Sequence, residues 1–493
     1  MNASNAVVFG HISRICGSSV EVTVDNNSIV SKTTSSKEKI AFLTVGSLFG
    51  TRLLDKRILT LSVSEVREEN KIIIVRATIT GIFDESSNAF SFGTDSYPII
   101  NEPAFFLDGS ILSVVFHKEN CAPVSIGSYV FNKNVQVTYD PNILFGKHLG
   151  VFGNTGSGKT CTIVSIIQHY LKENPDKNIK FIILDVNSEY GSAFEKDGEY
   201  IPFDKIKIHH SHLNFPEYCD LFRAAQGVQL PALRDVIYNE QNSFGKKWKI
   251  SELPKGIEDW ISKNATDNFS KNTLFNNLRT LILRIESIIS DPQLSNAVDS
   301  DPSDDIAKEI IHSDKPVQIL DMSVSADTLD IILFLFFKTL FQDEIEERKK
   351  NQSSAQICLV LEEAHRYLKT ENADTSLATN YIEKIAREGR KFGIGLIISS
   401  QIPSMLSYEI ISQCNSVVMH KITNKRDMEF LRGVLRFNDD VFYSQMSSLE
   451  KQHALVCGEA FSSDALVKIL DASPLPKSKD PQIPNKIPNP KHS

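Results

Sequence analysis

The chain has 493 residues, 41% of them hydrophobic and 23% charged, with a formal net charge of −8. Those proportions fit a soluble globular protein and exclude a disordered or membrane-embedded one, and the length predicts two or three domains rather than a single core. A chain that coats nucleic acid is normally basic overall, so with this acidic balance any contact with DNA must come from a local patch, and global charge neither supports nor excludes DNA.

The opening stretch, "MNASNAVVFGHISR", lacks the basic start and apolar run of a secretory signal. The longest apolar run, "IILFLFF" at 331–337, is far shorter than the roughly 20 residues of a membrane span. A cytoplasmic location and no membrane contact are therefore expected. The seven cysteines are scattered and never form a C-x-x-C pair, which argues against a disulfide framework and against a zinc site.

Residues 1–125 alternate short apolar runs with turn signals, among them "AVVFGHI", "VEVTVDNNS", "IAFLTVGS", "KIIIVRATITGIF" and "GSILSVVFH". Strands at this spacing predict a small all-β domain, a barrel or a sandwich, with a structural or docking role. From residue 126 strands alternate with helices, the texture of a three-layer α/β core. The core is expected over 126–207 and 313–470, with strands at 149–153, 181–186, 317–322, 357–361, 395–399 and 416–422 and a final hairpin near 453–458. Between its halves, 208–312 reads as a helical insertion. Its clearest helix places Leu274, Leu278, Leu281, Ile282, Ile285, Ile288 and Ile289 on one face. The Pro- and Lys-rich tail, 471–493, has little to bury, and is either disordered or an arm that orders against a neighbouring subunit.

The core opens on "VFGNTGSGKT", a G-x-x-x-x-G-K-[ST] loop between an apolar strand and a helix, which is the context a phosphate cradle requires. Gly153, Gly156 and Gly158 let backbone N–H groups turn inward, with Asn154, Thr155, Ser157 and Cys161 completing the loop and the helix start. Lys159 supplies a compact cation for the β and γ phosphates of ATP, and Thr160 a hydroxyl ligand for Mg²⁺. A Gly/Ser turn without a ligand leaves the Lys-Thr pair unexplained.

A cradle of this kind needs an acidic partner, and "ICLVLEEAHRYL" provides one. Glu362 and Glu363 stand at the C-terminal end of a buried strand, where open α/β sheets bind ligands. Glu362 is assigned to the metal and Glu363 to the base that polarises the attacking water; the alternative is a solvated pair. Asp185 and Glu189 in "ILDVNSEY", and Gln401 after "GLIISS", stand at two further strand ends. Each is either a contact to the nucleotide or its water, or a strand cap.

These stretches, together with "KHLGVFGNTGSGKT", "IAREGRKFGIGLIISSQIPS" and "SVVMHKITNKRDMEFLRGVL", resemble the HerA-type ATPases of the HerA/FtsK superfamily in family order over about 145–435. The resemblance implies a RecA-like P-loop core behind a small β-barrel, assembled as a homohexamer around double-stranded DNA, with ATP bound between subunits. It further implies a positive side chain from the neighbouring subunit, for which Arg387 comes first and Arg390 second; intrasubunit ion pairs are the alternative. Lys147 stands where the family usually carries Arg, and keeps the charge without the forked geometry. For DNA, two basic groups are candidates: Lys246, Lys247 and Lys249 around Trp248, and Lys421, Lys425 and Arg426; a solvated lysine cluster is the commoner reading of each. Relatives of this kind work with a separate effector, a nuclease or a sirtuin-type NAD hydrolase, in DNA end processing or antiphage defence. The competing readings are a ring-shaped, ATP-regulated scaffold that activates such an effector without processive movement, and a membrane-associated secretion or conjugation ATPase.

Overall fold

The computed structural model describes residues 7–25, 43–119, 121–175, 179–349, 356–368, 376–435 and 445–477. Seven strands build the N-terminal domain: β1 Val8–Cys16, β2 Ser19–Val24, β3 Leu48–Arg52, β4 Ile58–Glu69, β5 Ile72–Asp84, β6 Ala89–Phe92 and β7 Pro103–Phe106. Their order, β2-β1-β7-β3-β4-β5, is closed by a β2–β5 pairing, so six strands form a barrel with β6 attached to β5 outside the ring. Closure removes the edges that an open sheet would leave unpaired. Alternate residues point inward, as Val20, Val22 and Val24 do on β2, and join Phe9, Phe49 and Leu61 in a separate core.

Two expectations for this region are corrected. The "IAFLTVGS" strand begins later, at Leu48. "GSILSVVFH" is a helix, Gly109–Val115, because Asp108 accepts hydrogen bonds from the backbone N–H groups of Ser110 and Ile111 and starts a turn that buries Leu112 and Val115.

The second sheet has eleven strands: β8 Val124–Tyr129, β9 Asn132–Tyr139, β10 Leu149–Phe152, β11 Ile179–Asp185, β12 Gly198–Ile201, β13 Val317–Asp321, β14 Gln356–Leu361, β15 Ile394–Ser400, β16 Ser416–Met419, β17 His453–Gly458 and β18 Ala465–Ile469. Their order is β12-β13-β11-β14-β15-β10-β16-β17-β18-β8-β9. The pairings from β12 to β16 are parallel and the remainder antiparallel.

Both faces of the parallel part are covered, so its strands read as unbroken apolar runs. Along β11, Ile182 and Leu184 face the cluster shared with the helical insertion, while Phe181 and Ile183 face the cluster under the helix Lys159–Glu173. Tyr170 of that helix packs edge-on against Phe145 at 4.9 Å and Phe181 at 5.8 Å. In the insertion, the helix Asn268–Ser290 buries Leu278, Leu281, Ile282, Ile285 and Ile288. Each such side chain contributes roughly 1.5–3 kcal/mol. Leu274 and Ile289 are partly buried at its margins. Among the described residues no helix is long and apolar enough to cross a membrane.

Candidate nucleotide-hydrolysis site

The topology places the site. β15 lies between β10, which leads into the phosphate loop, and β14, which ends at the glutamates. The C-terminal ends of these three parallel strands therefore form one edge of the sheet.

The loop turns at Gly156 (φ +71°) and Gly158 (φ +113°), and the second of these starts the helix Lys159–Glu173 without any side-chain cap. The N–H groups of its first turn are thus left to a ligand. A Cβ on Gly153 would stand 2.6 Å from the Cβ of His420 and 2.7 Å from the Oγ of Ser157, so only glycine lets the loop lie flat on its support. That support is the segment after β16. The Asn154 N–H donates to the Lys421 carbonyl at 2.8 Å, and its side-chain amide donates to the Thr423 hydroxyl at 2.8 Å. The ammonium of Lys159 lies under the loop, donating to the carbonyls of Gly153 at 2.9 Å and Asn154 at 3.4 Å. Burial lowers its pKa, against the opposing pull of Glu363, Glu362 and Glu189. Cys161 follows in the first helical turn, half-buried.

Sequence reasoning missed His420. It is fully buried, its Nε2 2.9 Å from the Thr162 hydroxyl and its Nδ1 3.1 Å from the His453 carbonyl, and burial takes its pKa down to about 4. A neutral imidazole therefore braces the loop from below. No spacing in the sequence marks it, because its partners come from the P-loop helix and β17.

Glu362 and Glu363 follow β14 directly. Glu362 is 1% exposed; its Oε1 accepts from the Thr160 hydroxyl at 3.4 Å, and its Oε2 has no hydrogen-bond partner among the described residues. Burial holds its pKa well above the ordinary carboxylate range, and the nearby Asp185, Glu189 and Glu363 push it the same way. Glu189 is raised by burial too, with the Thr160 hydroxyl bonded to it as a counterweight. Crowded anionic oxygens, one of them unsatisfied, beside a threonine hydroxyl fit a hard divalent cation. No group of three or more His, Cys, Asp or Glu side chains among the described residues holds a metal ion by itself.

Glu363 takes a left-handed backbone (φ +44°), a conformation that costs a non-glycine residue about 1–2 kcal/mol. Its Oε1 accepts from the Gln401 amide at 2.6 Å and stands 3.8 Å from the Lys159 ammonium. The Gln401 oxygen accepts in turn from the Thr155 hydroxyl. Gln401 is thus a bridge between the phosphate loop and the second glutamate.

Asp185 caps its own turn. It is fully buried, and its carboxylate accepts from the N–H groups of Asn187 (3.3 Å), Glu189 (3.0 Å) and Tyr190 (3.0 Å). It folds the turn that brings Glu189 to Thr160.

The cations expected to serve a neighbouring subunit make the following contacts within the chain. Arg390 donates to the carbonyl of Gln413 at 2.8 Å, to that of Lys147 at 3.4 Å and to the Asn415 side chain. Lys147 pairs with Glu459, which also accepts from Asn415 at 2.9 Å. These two cations form a network within one chain. Arg387, on the helix Leu377–Glu388, is 53% exposed, with Glu383 4.0 Å away.

In the basic stretch at 246–249, Trp248 is 1% exposed and packs against His210 (4.2 Å) and Tyr218 (5.5 Å), so its ring is a core group and offers no face to a base. Lys247 stands 3.4 Å from Asp301, Lys249 is exposed, and the side chain of Lys246 lies outside the described residues. Lys421, Lys425 and Arg426 are exposed on the segment that braces the phosphate loop. Of the tail, the described part runs over its own core: Ser473 N–H donates to Gln168 at 2.8 Å, the Ser192 hydroxyl to the Leu475 carbonyl at 3.2 Å, and Lys477 N–H to the Glu189 carbonyl at 2.9 Å. Residues 478–493 lie outside the described residues.

Residues 124–341 match the family described as the central domain of helicase HerA. The chain is 27% identical over 378 residues to a probable helicase of Methanocaldococcus jannaschii, covering 74% of this chain and 70% of that one. It is 23% identical over 464 residues to the DNA double-strand break repair helicase HerA of Pyrococcus furiosus, covering 83% and 80%. Among solved structures, VirB4 of Thermoanaerobacter pseudethanolicus superimposes with a TM-score of 0.52 at 14% identity, over 73% of this chain and 98% of that one. The bacterial conjugative coupling protein TrwB gives 0.51 at 13%, over 76% and 94%. At such identities the two structures show a shared fold.

Proposed function

We propose that this chain, whose residues 124–341 match the central domain of helicase HerA, hydrolyses ATP in a homohexameric ring to drive movement along double-stranded DNA. The observation that carries the reading is the bridge from Thr155 through Gln401 to Glu363, beside Lys159. It ties the group that would face the γ-phosphate to the group that would activate water.

Phosphate oxygens replace the carbonyls of Gly153 and Asn154 as partners of the Lys159 ammonium, and the uncapped helix start adds its N–H groups. Thr160 and Glu362 would hold Mg²⁺, which neutralises charge on the phosphates when bound. Glu363 accepts a proton from water as the water oxygen bonds to the γ-phosphorus. The bond to the β-phosphate oxygen breaks, leaving ADP and inorganic phosphate. Arg387, exposed near a helix end, would be the cation that reaches a neighbouring subunit's phosphates. DNA is the partner that the names of the curated relatives support. The effector, a nuclease or a sirtuin-type NAD hydrolase, is a separate chain.

The test is displacement of a triplex-forming strand from duplex DNA with ATP, using Lys159→Ala as the control. Displacement above that control is expected. Strong hydrolysis with displacement no greater than the control would refute the motor and leave a ring that only organises its effector.

A further inference from the structure

We propose that His365 is a positioning residue, whose Nδ1 holds the second carboxylate oxygen of Glu363 in place for water activation. The inference rests on the reading of Glu363 as the base, and nothing in the motifs required it. Glu363 sits in a left-handed turn just past the end of β14, with no regular structure to fix its side chain. One oxygen is fixed by Gln401. The other, Oε2, is buried and accepts no hydrogen bond among the described residues; His365 Nδ1 stands 3.3 Å from it, within ion-pair distance when the ring is protonated. The same Nδ1 lies 3.2 Å from the Ser400 hydroxyl, whose oxygen also accepts from the N–H of Ile402 at 3.1 Å.

Both hands on the carboxylate therefore lead back to neighbouring residues at the tip of β15: Gln401 directly, and Ser400 through His365. The 3-10 turn Ala364–Arg366 swings the imidazole back over the glutamate that starts it. With its proton on Nδ1, the ring faces the carboxylate at ion-pair distance and the Ser400 hydroxyl at hydrogen-bond distance, so a small rotation lets it donate to Glu363. A carboxylate held at both oxygens keeps one lone-pair direction for water. Held at one, it rotates, and misplacement on the order of 1 Å costs on the order of 100-fold in rate.

The geometry gives a discriminating test. Asparagine places its amide nitrogen where Nδ1 stands, whereas glutamine places it where Nε2 stands. His365→Gln is expected to lower kcat for ATP about 10- to 100-fold with KM changed less than about twofold, because nucleotide grip is untouched. His365→Asn is expected to recover kcat to within about threefold of the unmodified chain. The variants are compared in the full-length protein, with Glu363→Gln alongside. If Glu363→Gln keeps near-normal turnover, the assignment of the base has failed, and this inference with it. If Glu363→Gln is inactive but His365→Gln turns over normally, or if asparagine and glutamine fall equally, His365 does not position Glu363. An equal fall is also what a mere packing loss would give, so that outcome overturns the proposal.

Discussion

Replacing the two glutamates one at a time separates their roles. Glu363→Gln keeps the shape and leaves an oxygen to accept from Gln401, but removes the charge that faces Lys159. At 3.8 Å and an effective dielectric constant of about 20, that attraction is on the order of 4 kcal/mol. Without it the ammonium is committed to the phosphates, and the γ-phosphate no longer faces a like charge. ATP should bind as tightly as before or up to about tenfold tighter, while hydrolysis loses the general base, about 10²- to 10⁴-fold, or roughly 3–5.5 kcal/mol. Glu362→Gln should do the reverse. It weakens nucleotide binding in a Mg²⁺-dependent manner, yet stabilises the ligand-free protein by removing a buried charge from among Asp185, Glu189 and Glu363. The sign with pH follows. The raised pKa of Glu362 makes its contribution to stability complete below its unfolded value, about 4.3, and lost as pH rises through the folded value. The amide does not titrate. In EDTA, the melting temperature of Glu362→Gln minus that of the unmodified chain should therefore grow as pH rises above about 5. Turnover of Glu363→Gln within about tenfold of normal, or a melting difference that shrinks with rising pH, would refute these assignments.

Arg387→Ala should leave thermal stability unchanged and lower hydrolysis, and mixing it with Glu363→Ala subunits should restore part of the activity through mixed interfaces; no recovery in rings shown to be mixed would count against a trans role. Arg390→Ala, by contrast, strips donors from the Gln413 and Lys147 carbonyls and from Asn415. It should cost about 1.5–3 kcal/mol in denaturant unfolding, and an unchanged midpoint would contradict the network. Trp248→Ala should destabilise by about 3–5 kcal/mol without a selective loss of DNA affinity. A stable variant that binds DNA poorly would return the ring to the nucleic-acid surface.

The parts of the site that one segment encodes were legible, and the parts that need two distant segments were not. The strand, loop and helix around Lys159, and the apolar run ending at Glu362 and Glu363, announce themselves because local sequence carries both the secondary structure and the chemistry. The same holds for the amphipathic face of Asn268–Ser290. Asp185 was ambiguous for a physical reason: a carboxylate at a strand end serves a ligand or its own turn equally well, and only the three N–H groups that converge on it decide. Arg390 was ambiguous in the same way, since its acceptors near 413–415 and at 147 come together only across the parallel sheet. The aromatic in "GKKWK" was ambiguous because alternation with lysines suits a binding surface or a solvated cluster around a core ring, and His210 and Tyr218, 38 and 30 residues upstream, take the ring into the core. β8 joins the large sheet through pairing of Lys468 with Ser128, a register that no local pattern specifies.

β15 gives the site a mechanical meaning. Its tip touches the phosphate loop twice, through the Ser400 carbonyl to the Gly153 N–H at 3.3 Å and through Gln401 to Thr155. It touches the glutamate through the Gln401 amide. A γ-phosphate that draws Thr155 toward itself must therefore pull on the group that orients the base. The chain leaving this tip does not run into solvent. At Ser407 its hydroxyl donates to Glu383 at 2.6 Å, on the same helix as Arg387 and one turn before it. At 413–415 it supplies the acceptors that hold Arg390. One continuous stretch thus contacts the chain's own nucleotide loop at one end and, at the other, the helix carrying the cation proposed to serve a neighbour. If subunits assemble in the proposed ring, a phosphate state that biased the next subunit would need such physical continuity, and the segment 400–415 that leaves β15 would supply it.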